Sequence, residues 1–173
     1  MKGMKGETFL KTTVYIETTI PSYLTANPSR DIFQLARQSI TKQWWETKRQ
    51  NYDLVTSDFT VTECRKGDPA AAQRRIESIS KIRLLRITNN IHALSNSYLE
   101  LLSYPNDSKI DMFHLAICVV NQIDYLLTWN CNHLGPLTMQ RVQAYNYRHD
   151  LFVPVLITPE AFFDEREFSH GFL

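Results

Sequence analysis

The sequence predicts an α/β fold, in which helices cover both faces of a central parallel sheet of about five strands and form a three-layer α/β/α arrangement. Short apolar and β-branched runs alternate along most of the chain with longer segments of helical periodicity, a pattern typical of parallel sheets. Acidic or amide residues also follow several of these runs. Because the carboxyl ends of parallel strands share one edge of a sheet, the fold would gather these residues there.

Composition limits the class of protein. The chain has 173 residues, of which 43% are hydrophobic and 21% charged, as expected for one globular domain with a substantial core. The net charge of +1 gives no general attraction to nucleic acid, so RNA contact would need a local basic patch. No apolar run predicts a membrane span or a signal peptide. The three cysteines are widely spaced, which argues against a disulfide framework or zinc motif and favours a reducing cytoplasm.

The domain boundaries follow from the first and last regular patterns. We expect a flexible N-terminal tail over residues 1–11, the domain over residues 12–160, and a C-terminal tail over residues 161–173. Neither an internal repeat nor a low-complexity segment divides the domain.

Each element has its own local signal. β-branched and apolar residues predict five strands, at 12–16, 52–57, 82–87, 124–129 and 153–157. Helical spacing or helix-start residues predict the principal helices, at 29–49, 60–64, 70–80, 91–102, 110–122 and 138–147.

Helix-start residues refine these boundaries. Pro21 suits the first turn of a short helix directly after the first strand. Asp68 is a predicted N-cap with Pro69 at the first helical position, while Asn89 or Asn90 is expected to cap the helix at 91–102.

Four residues at these junctions carry the predicted chemistry. Glu17, Glu63 and Asn130 lie just past the ends of three strands, and Asp111 opens a helix that returns to the same edge. Their oxygen atoms suit Mg²⁺ or Mn²⁺, which can activate water and stabilise the phosphate oxygens of a phosphodiester. Hydroxyl groups nearby would orient the carboxylates or bound water; they belong to Thr18, Thr19 and Thr128.

The order and strand context of these motifs resemble the PIN domain family, including the toxins of VapBC toxin–antitoxin pairs. The resemblance spans nearly the whole chain, through the segments 15–24, 56–63, 111–116 and 124–134. It implies a five-stranded parallel sheet and a Mg²⁺- or Mn²⁺-dependent endoribonuclease acting on RNA. It also implies that Glu17, Glu63 and Asp111 bind the metal, that Asn130 is a fourth catalytic residue, and that Thr18 and Thr128 support them. A homodimer and a small antitoxin that blocks the cleft follow from the same resemblance.

Two residues depart from the family pattern. Glu17 stands where the family usually has Asp, and Asn130 stands where it often has Asp. An amide oxygen can ligate a metal, but it brings no charge. A one-metal or weak nuclease therefore stays open, as does a PIN-like module that binds RNA or protein without cleaving it. A phosphatase on a similar sheet is disfavoured, because no Asp-x-Asp motif follows the first strand.

Each of the four site residues also has a structural interpretation that involves no metal. Glu17 and Asp111 also suit helix N-termini, Glu63 also fits a solvated helix face, and Asn130 also fits a turn. Several further residues are expected to be structural, namely Asp58 as a cap, Asp124 at a strand start, His114 as a packed or hydrogen-bonded histidine, and Asn132 in a turn. His133 is a weak candidate for phosphate contact. Four basic residues would either bind phosphate or lie on a solvated helix, namely Arg65, Lys66, Arg74 and Arg75.

Overall fold

A five-stranded parallel sheet organises the chain. The structure is a computed structural model, and it describes residues 11–103, 109–130 and 134–163. The strands are β1 (Thr13–Ile16), β2 (Asp53–Ser57), β3 (Arg83–Leu85), β4 (Tyr125–Leu127) and β5 (Val155–Ile157). Their spatial order is β3-β2-β1-β4-β5, with every neighbouring pair parallel. The predicted fold class is confirmed.

Helices connect the strands. They are α1 (Thr19–Thr25), α2 (Ile32–Thr47), α3 (Asp58–Cys64), α4 (Pro69–Ile79), α5 (Asn89–Leu102), α6 (Lys109–Val120) and α7 (Pro136–Arg148). Short 3-10 helices cover Arg49–Asn51 and Pro159–Phe162. No helix among the described residues is long and apolar enough to cross a membrane.

Two hydrophobic cores lie on opposite faces of the sheet. Tyr15 belongs to the core formed with α5, α6 and α7, while Val14 and Ile16 belong to the core formed with α2 and α4. Successive side chains of a strand point to opposite faces, so the continuous apolar run of β1 supplies both cores. This arrangement produces the three layers.

The structure confirms the predicted N-cap residue of α4 and corrects those of α3 and α5. Asp68 caps α4 by accepting a hydrogen bond from the Ala71 amide at 2.8 Å, with Pro69 in the first turn. Asp58 is not the cap of α3, because the Ser57 side chain accepts the Thr60 amide at 3.1 Å and Asp58 already lies in the helix. The predicted cap of α5 is also wrong, since Thr88 occupies the cap position there.

The last described segment packs on the core that contains α2. The ring of Phe162 lies 5.5 Å from the ring of Trp44 and 5.0 Å from the ring of Tyr52, between centroids. These contacts hold the 3-10 helix after β5 against the body of the domain. The expected tails fall mainly on residues outside the described ranges, so the domain boundaries stay predictions.

Candidate functional site

The strand order places the predicted site residues on neighbouring elements. β1 is the central strand, with β2 and β4 on either side. Glu17 follows β1, α3 with Glu63 follows β2, and Thr128 with Asn130 follows β4. The chain leaves β1 toward β2 and later returns beside β1 as β4, so this edge is a topological switch point, where open α/β sheets bind ligands.

Glu17 is a buried carboxylate fixed by hydroxyl and amide donors. Its side chain accepts hydrogen bonds from the Thr19 amide at 3.0 Å, from the Thr19 hydroxyl, and from the Thr128 hydroxyl. Only 5% of the residue is exposed. Burial raises the pKa of Glu17, although these hydrogen bonds oppose the shift. Burial therefore disfavours the ionised form of Glu17, and a bound cation would relieve that cost.

Asn130 contacts Asp111 directly. Its side-chain Nδ2 donates to Asp111 Oδ1 at 2.6 Å, and its backbone amide donates to the Thr128 hydroxyl at 2.8 Å. The amide nitrogen faces Asp111 because a carboxylate offers only acceptors. Asp111 is 5% exposed, whereas Asn130 is half-buried. Asp111, Asn130, Thr128 and Glu17 thus form one continuous chain of contacts.

Glu63 reaches the site from α3. Its Oε2 accepts from the Thr18 hydroxyl at 3.2 Å and lies 3.5 Å from His114 Nε2, while its Oε1 lies 3.1 Å from Lys66 Nζ. Burial alone would raise the pKa of Glu63, but the contacts with His114 and Lys66 outweigh it and lower that pKa. The surroundings of Glu63 therefore favour its ionised form, whereas burial disfavours the ionised form of Glu17.

His114 connects the two sides of the site. It is 2% exposed; its Nδ1 lies 2.9 Å from the Tyr15 hydroxyl, and its Nε2 faces Glu63. The prediction of a packed, hydrogen-bonded histidine is confirmed, but the partners are more specific than the sequence indicated. The sequence signal that His114 lies near the site is its position one helical turn beyond Asp111 on α6.

Most of the proposed phosphate-binding side chains contact the protein itself. Arg75 Nε donates to the Cys64 carbonyl at 3.0 Å, Arg74 Nε donates to the Thr25 carbonyl at 3.2 Å, and Lys66 pairs with Glu63. These cations thus secure the ends of α3 and α1. Asp124 is structural, as predicted, since it accepts from the amide and hydroxyl of Thr13. Asn132 and His133 lie outside the described residues.

The chemical type of the ligand atoms at this site suits a hard divalent cation. Glu17, Glu63, Asp111 and Asn130 offer only oxygen ligands, which Mg²⁺ and Mn²⁺ prefer. Among the residues that the structure describes, no three His, Cys, Asp or Glu side chains are grouped tightly enough to hold a metal together. Mg²⁺ commonly takes one or two carboxylates and completes its shell with water, so the site fits Mg²⁺ better than it fits a metal that needs a closed protein cage.

Two solved structures resemble this chain in three dimensions. VapC20 from Mycobacterium tuberculosis, a toxin described as cleaving the sarcin–ricin loop, matches with a TM-score of 0.50 and 18% identity, over 70% of this chain and 93% of its own. VapBC2 from Rickettsia felis, bound to a DNA fragment from its promoter, matches with a TM-score of 0.56 and 10% identity, over 85% of this chain and 98% of its own.

Sequence comparison adds no closer relative. No protein-family model matches the chain, and no curated protein matches it at a significant level. The likeness to the two solved structures therefore concerns the fold, and it agrees with the resemblance carried by the four motifs. The prediction is confirmed at that level: the chain has the VapC-like PIN fold.

Proposed function

We propose that this protein is a metal-dependent endoribonuclease of toxin–antitoxin type. Glu17, Glu63 and Asp111 would hold Mg²⁺ or Mn²⁺, directly or through water bound to the ion, and Asn130 would be the fourth catalytic residue. The observation that carries this proposal is the chain of contacts from Asp111 through Asn130 and Thr128 to Glu17, at the edge where three adjacent strands end. A bound divalent ion would supply an activated water nucleophile and offset charge on the phosphate oxygens.

The residues around the carboxylates have separate roles in this proposal. Thr128 donates to Glu17 and accepts the backbone amide of Asn130, so it fixes the Glu17 carboxylate and the backbone at Asn130. Thr18 donates to Glu63 and would orient that carboxylate toward the cation. Asn130 is half-buried, so its amide is close enough to solvent to contact a bound water or a phosphate oxygen.

The resemblance to VapC20, described as a toxin that cleaves the sarcin–ricin loop, supports RNA as the class of substrate. The likeness to VapBC2 supports a small antitoxin as partner. We extend the proposal to a homodimer that works in the cytoplasm.

A second candidate is a PIN-like module that binds RNA or protein with weak or lost nuclease activity. The contact between Asn130 and Asp111 favours it, because the amide satisfies Asp111 without a cation. A fourth carboxylate in that place would instead repel Asp111 and demand a metal. The two candidates therefore differ in whether RNA is turned over, and they share the same surface.

An RNA cleavage assay separates the candidates. The parent and Asp111→Asn should be purified in parallel and assayed on structured RNA with Mg²⁺, with Mn²⁺ and with EDTA. The nuclease proposal predicts cleavage by the parent that EDTA abolishes and that Asp111→Asn lowers by about 100-fold or more, roughly 3 kcal/mol of transition-state stabilisation. Equal activity in both preparations would indicate a contaminant and refute the proposal. Binding of RNA without turnover would establish the second candidate.

A further inference from the structure

Beneath the candidate site, His114 lies in a buried row of hydroxyl groups. The Tyr15 hydroxyl is 2.7 Å from Ser57 Oγ, 2.9 Å from Thr60 Oγ1 and 2.9 Å from His114 Nδ1. All four residues are buried. The opposite side of the imidazole, Nε2, faces Glu63 Oε2 at 3.5 Å. The row therefore begins in the core and ends at a carboxylate of the candidate site.

For a neutral imidazole, one arrangement of protons satisfies every group in this row. Burial holds the pKa of Tyr15 well above its ordinary value, so its hydroxyl keeps its proton. Nε2 must carry a proton, because a bare lone pair would point at the Glu63 carboxylate. In the neutral ring Nδ1 is then an acceptor for Tyr15, and Ser57 and Thr60 donate to the Tyr15 oxygen. This assignment leaves no lone pair facing another.

His114 Nε2 has no closer partner than Glu63. Within the described ranges, only two buried side-chain polar atoms make no hydrogen bond in the static geometry, Trp44 Nε1 and His114 Nε2. Trp44 belongs to the core on the other face of the sheet. At 3.5 Å the Glu63 contact is longer than a well-formed hydrogen bond, so a small rotation of Glu63 would complete it.

We propose that His114 is a positioning residue, which holds the Glu63 carboxylate in its metal-binding orientation through Nε2–H. This inference rests on the proposed metal site and extends it to a residue outside the four predicted ones. A ring nitrogen that donates to a carboxylate fixes the direction of its lone pairs, as groups behind metal ligands commonly do. Tyr15 fixes the tautomer of the ring, and through it the core sets the geometry of Glu63.

Two features make His114 the rigid partner of Glu63. The Lys66 side chain is 67% exposed, so its ion pair constrains the carboxylate weakly. His114, by contrast, is packed against the rings of Tyr15 and Phe59. It also lies on α6 with Asp111, whereas Glu63 lies on α3. The Nε2–H contact therefore fixes the two helices that carry these carboxylates relative to each other.

A matched pair of substitutions tests this inference. His114→Gln places a side-chain amide near the position of Nε2, so it keeps a donor toward Glu63. His114→Asn places its amide near the position of Nδ1, so it keeps a partner for Tyr15 and loses the donor toward Glu63. Mn²⁺ affinity, measured by electron paramagnetic resonance on full-length protein, should fall by about 10-fold in His114→Asn and stay within about 3-fold of the parent in His114→Gln.

The outcomes separate this inference from the proposed function. Saturable Mn²⁺ binding that Asp111→Asn weakens and His114→Asn leaves unchanged would overturn the role of His114 and keep the metal site. Equal losses in His114→Asn and His114→Gln would show that the ring serves packing alone, which also overturns it. Absence of Mn²⁺ binding in the parent would refute both proposals.

A spectroscopic measurement tests the same inference without metal. The ¹⁵N chemical shifts of the His114 ring in metal-free protein should show a proton on Nε2 and a bare Nδ1. Tyr15→Phe removes the donor to Nδ1 and should weaken the preference for that tautomer. A proton on Nδ1 in the parent, with or without a proton on Nε2, would overturn the assignment.

Discussion

Replacing Asn130 by aspartate puts a second carboxylate where the structure has a hydrogen-bond donor. The parent side chain donates to Asp111 at 2.6 Å, and a hydrogen bond to a charged group contributes about 1.5–3 kcal/mol. Two carboxylates about 4 Å apart repel by about 4 kcal/mol at an effective dielectric constant near 20. Because Asn130 is half-buried, the new carboxylate can turn toward solvent and relieve part of this repulsion.

The expected result is a metal-dependent change in stability. At neutral pH in EDTA, Asn130→Asp should lower the free energy of unfolding by about 2–4 kcal/mol. Saturating Mg²⁺ should restore most of that loss, because a ligand bound only to the folded state stabilises it. The assay is urea unfolding of parent and variant, with and without Mg²⁺.

Two controls make this result specific. Asn130→Ala removes the donor without adding charge, so it should be destabilised and gain little extra from Mg²⁺. Asn121→Asp breaks a bond to the Ile117 carbonyl near the end of α6 and should show no additional Mg²⁺ response. If Asn130→Asp is as stable as the parent in EDTA, or if Mg²⁺ restores Asn121→Asp equally, the reasoning about this contact is wrong.

Three further predictions concern stability. Thr19→Val removes the hydroxyl that donates to Glu17 and accepts a hydrogen bond from the Trp129 amide at 2.9 Å. The substitution should lower the free energy of unfolding in urea by about 1–3 kcal/mol, and Thr19→Ser should recover most of that loss. A Thr19→Val variant as stable as the parent would contradict this prediction. Burial raises the pKa of Glu17 from its ordinary 4.5, so ionising this carboxyl costs more in the folded state than in the unfolded state. As pH rises above 4.5, the metal-free parent should therefore lose stability relative to Glu17→Gln, which does not ionise. A stability difference between the two proteins that does not depend on pH would refute this prediction. Tyr98→Phe breaks a buried bond to Asn146 at 2.7 Å and should cost about 1–3 kcal/mol without changing Mn²⁺ affinity; a change in that affinity would contradict the separation of this bond from the site.

Local signals account for what the sequence predicted well. The β-branched runs and the Asp68–Pro69 start identified strands and a helix because those preferences act over a few residues. The shared edge followed from the parallel pattern, since strand ends of one sense must meet. These signals predicted that Glu17 and Asn130 lie at the same edge of the sheet, and the structure adds that the strands before them are neighbours.

Several site contacts could not be predicted from the sequence, because they join residues that are far apart in the chain. Tyr15 and His114 are 99 positions apart, and no periodicity indicates that a strand hydroxyl meets a helix imidazole. The sequence predicts Asn130 as an auxiliary ligand in a position where the family often has Asp, and the structure shows that its side chain donates a hydrogen bond to Asp111. Arg74 and Arg75 have the sequence signature of a solvated basic face, yet both bind backbone carbonyls of other segments.

Direct measurement of metal binding tests the central claim, that the carboxylates after β1, on α3 and on α6 form one divalent-cation site. Mn²⁺ titration should be followed by electron paramagnetic resonance in the parent, in Asp111→Asn, and in Glu77→Gln as a control at an exposed acid on α4. The account predicts saturable binding in the parent, an affinity at least about 10-fold lower in Asp111→Asn, and no change in Glu77→Gln. Equal binding in parent and Asp111→Asn, or no saturable binding in the parent, would contradict it.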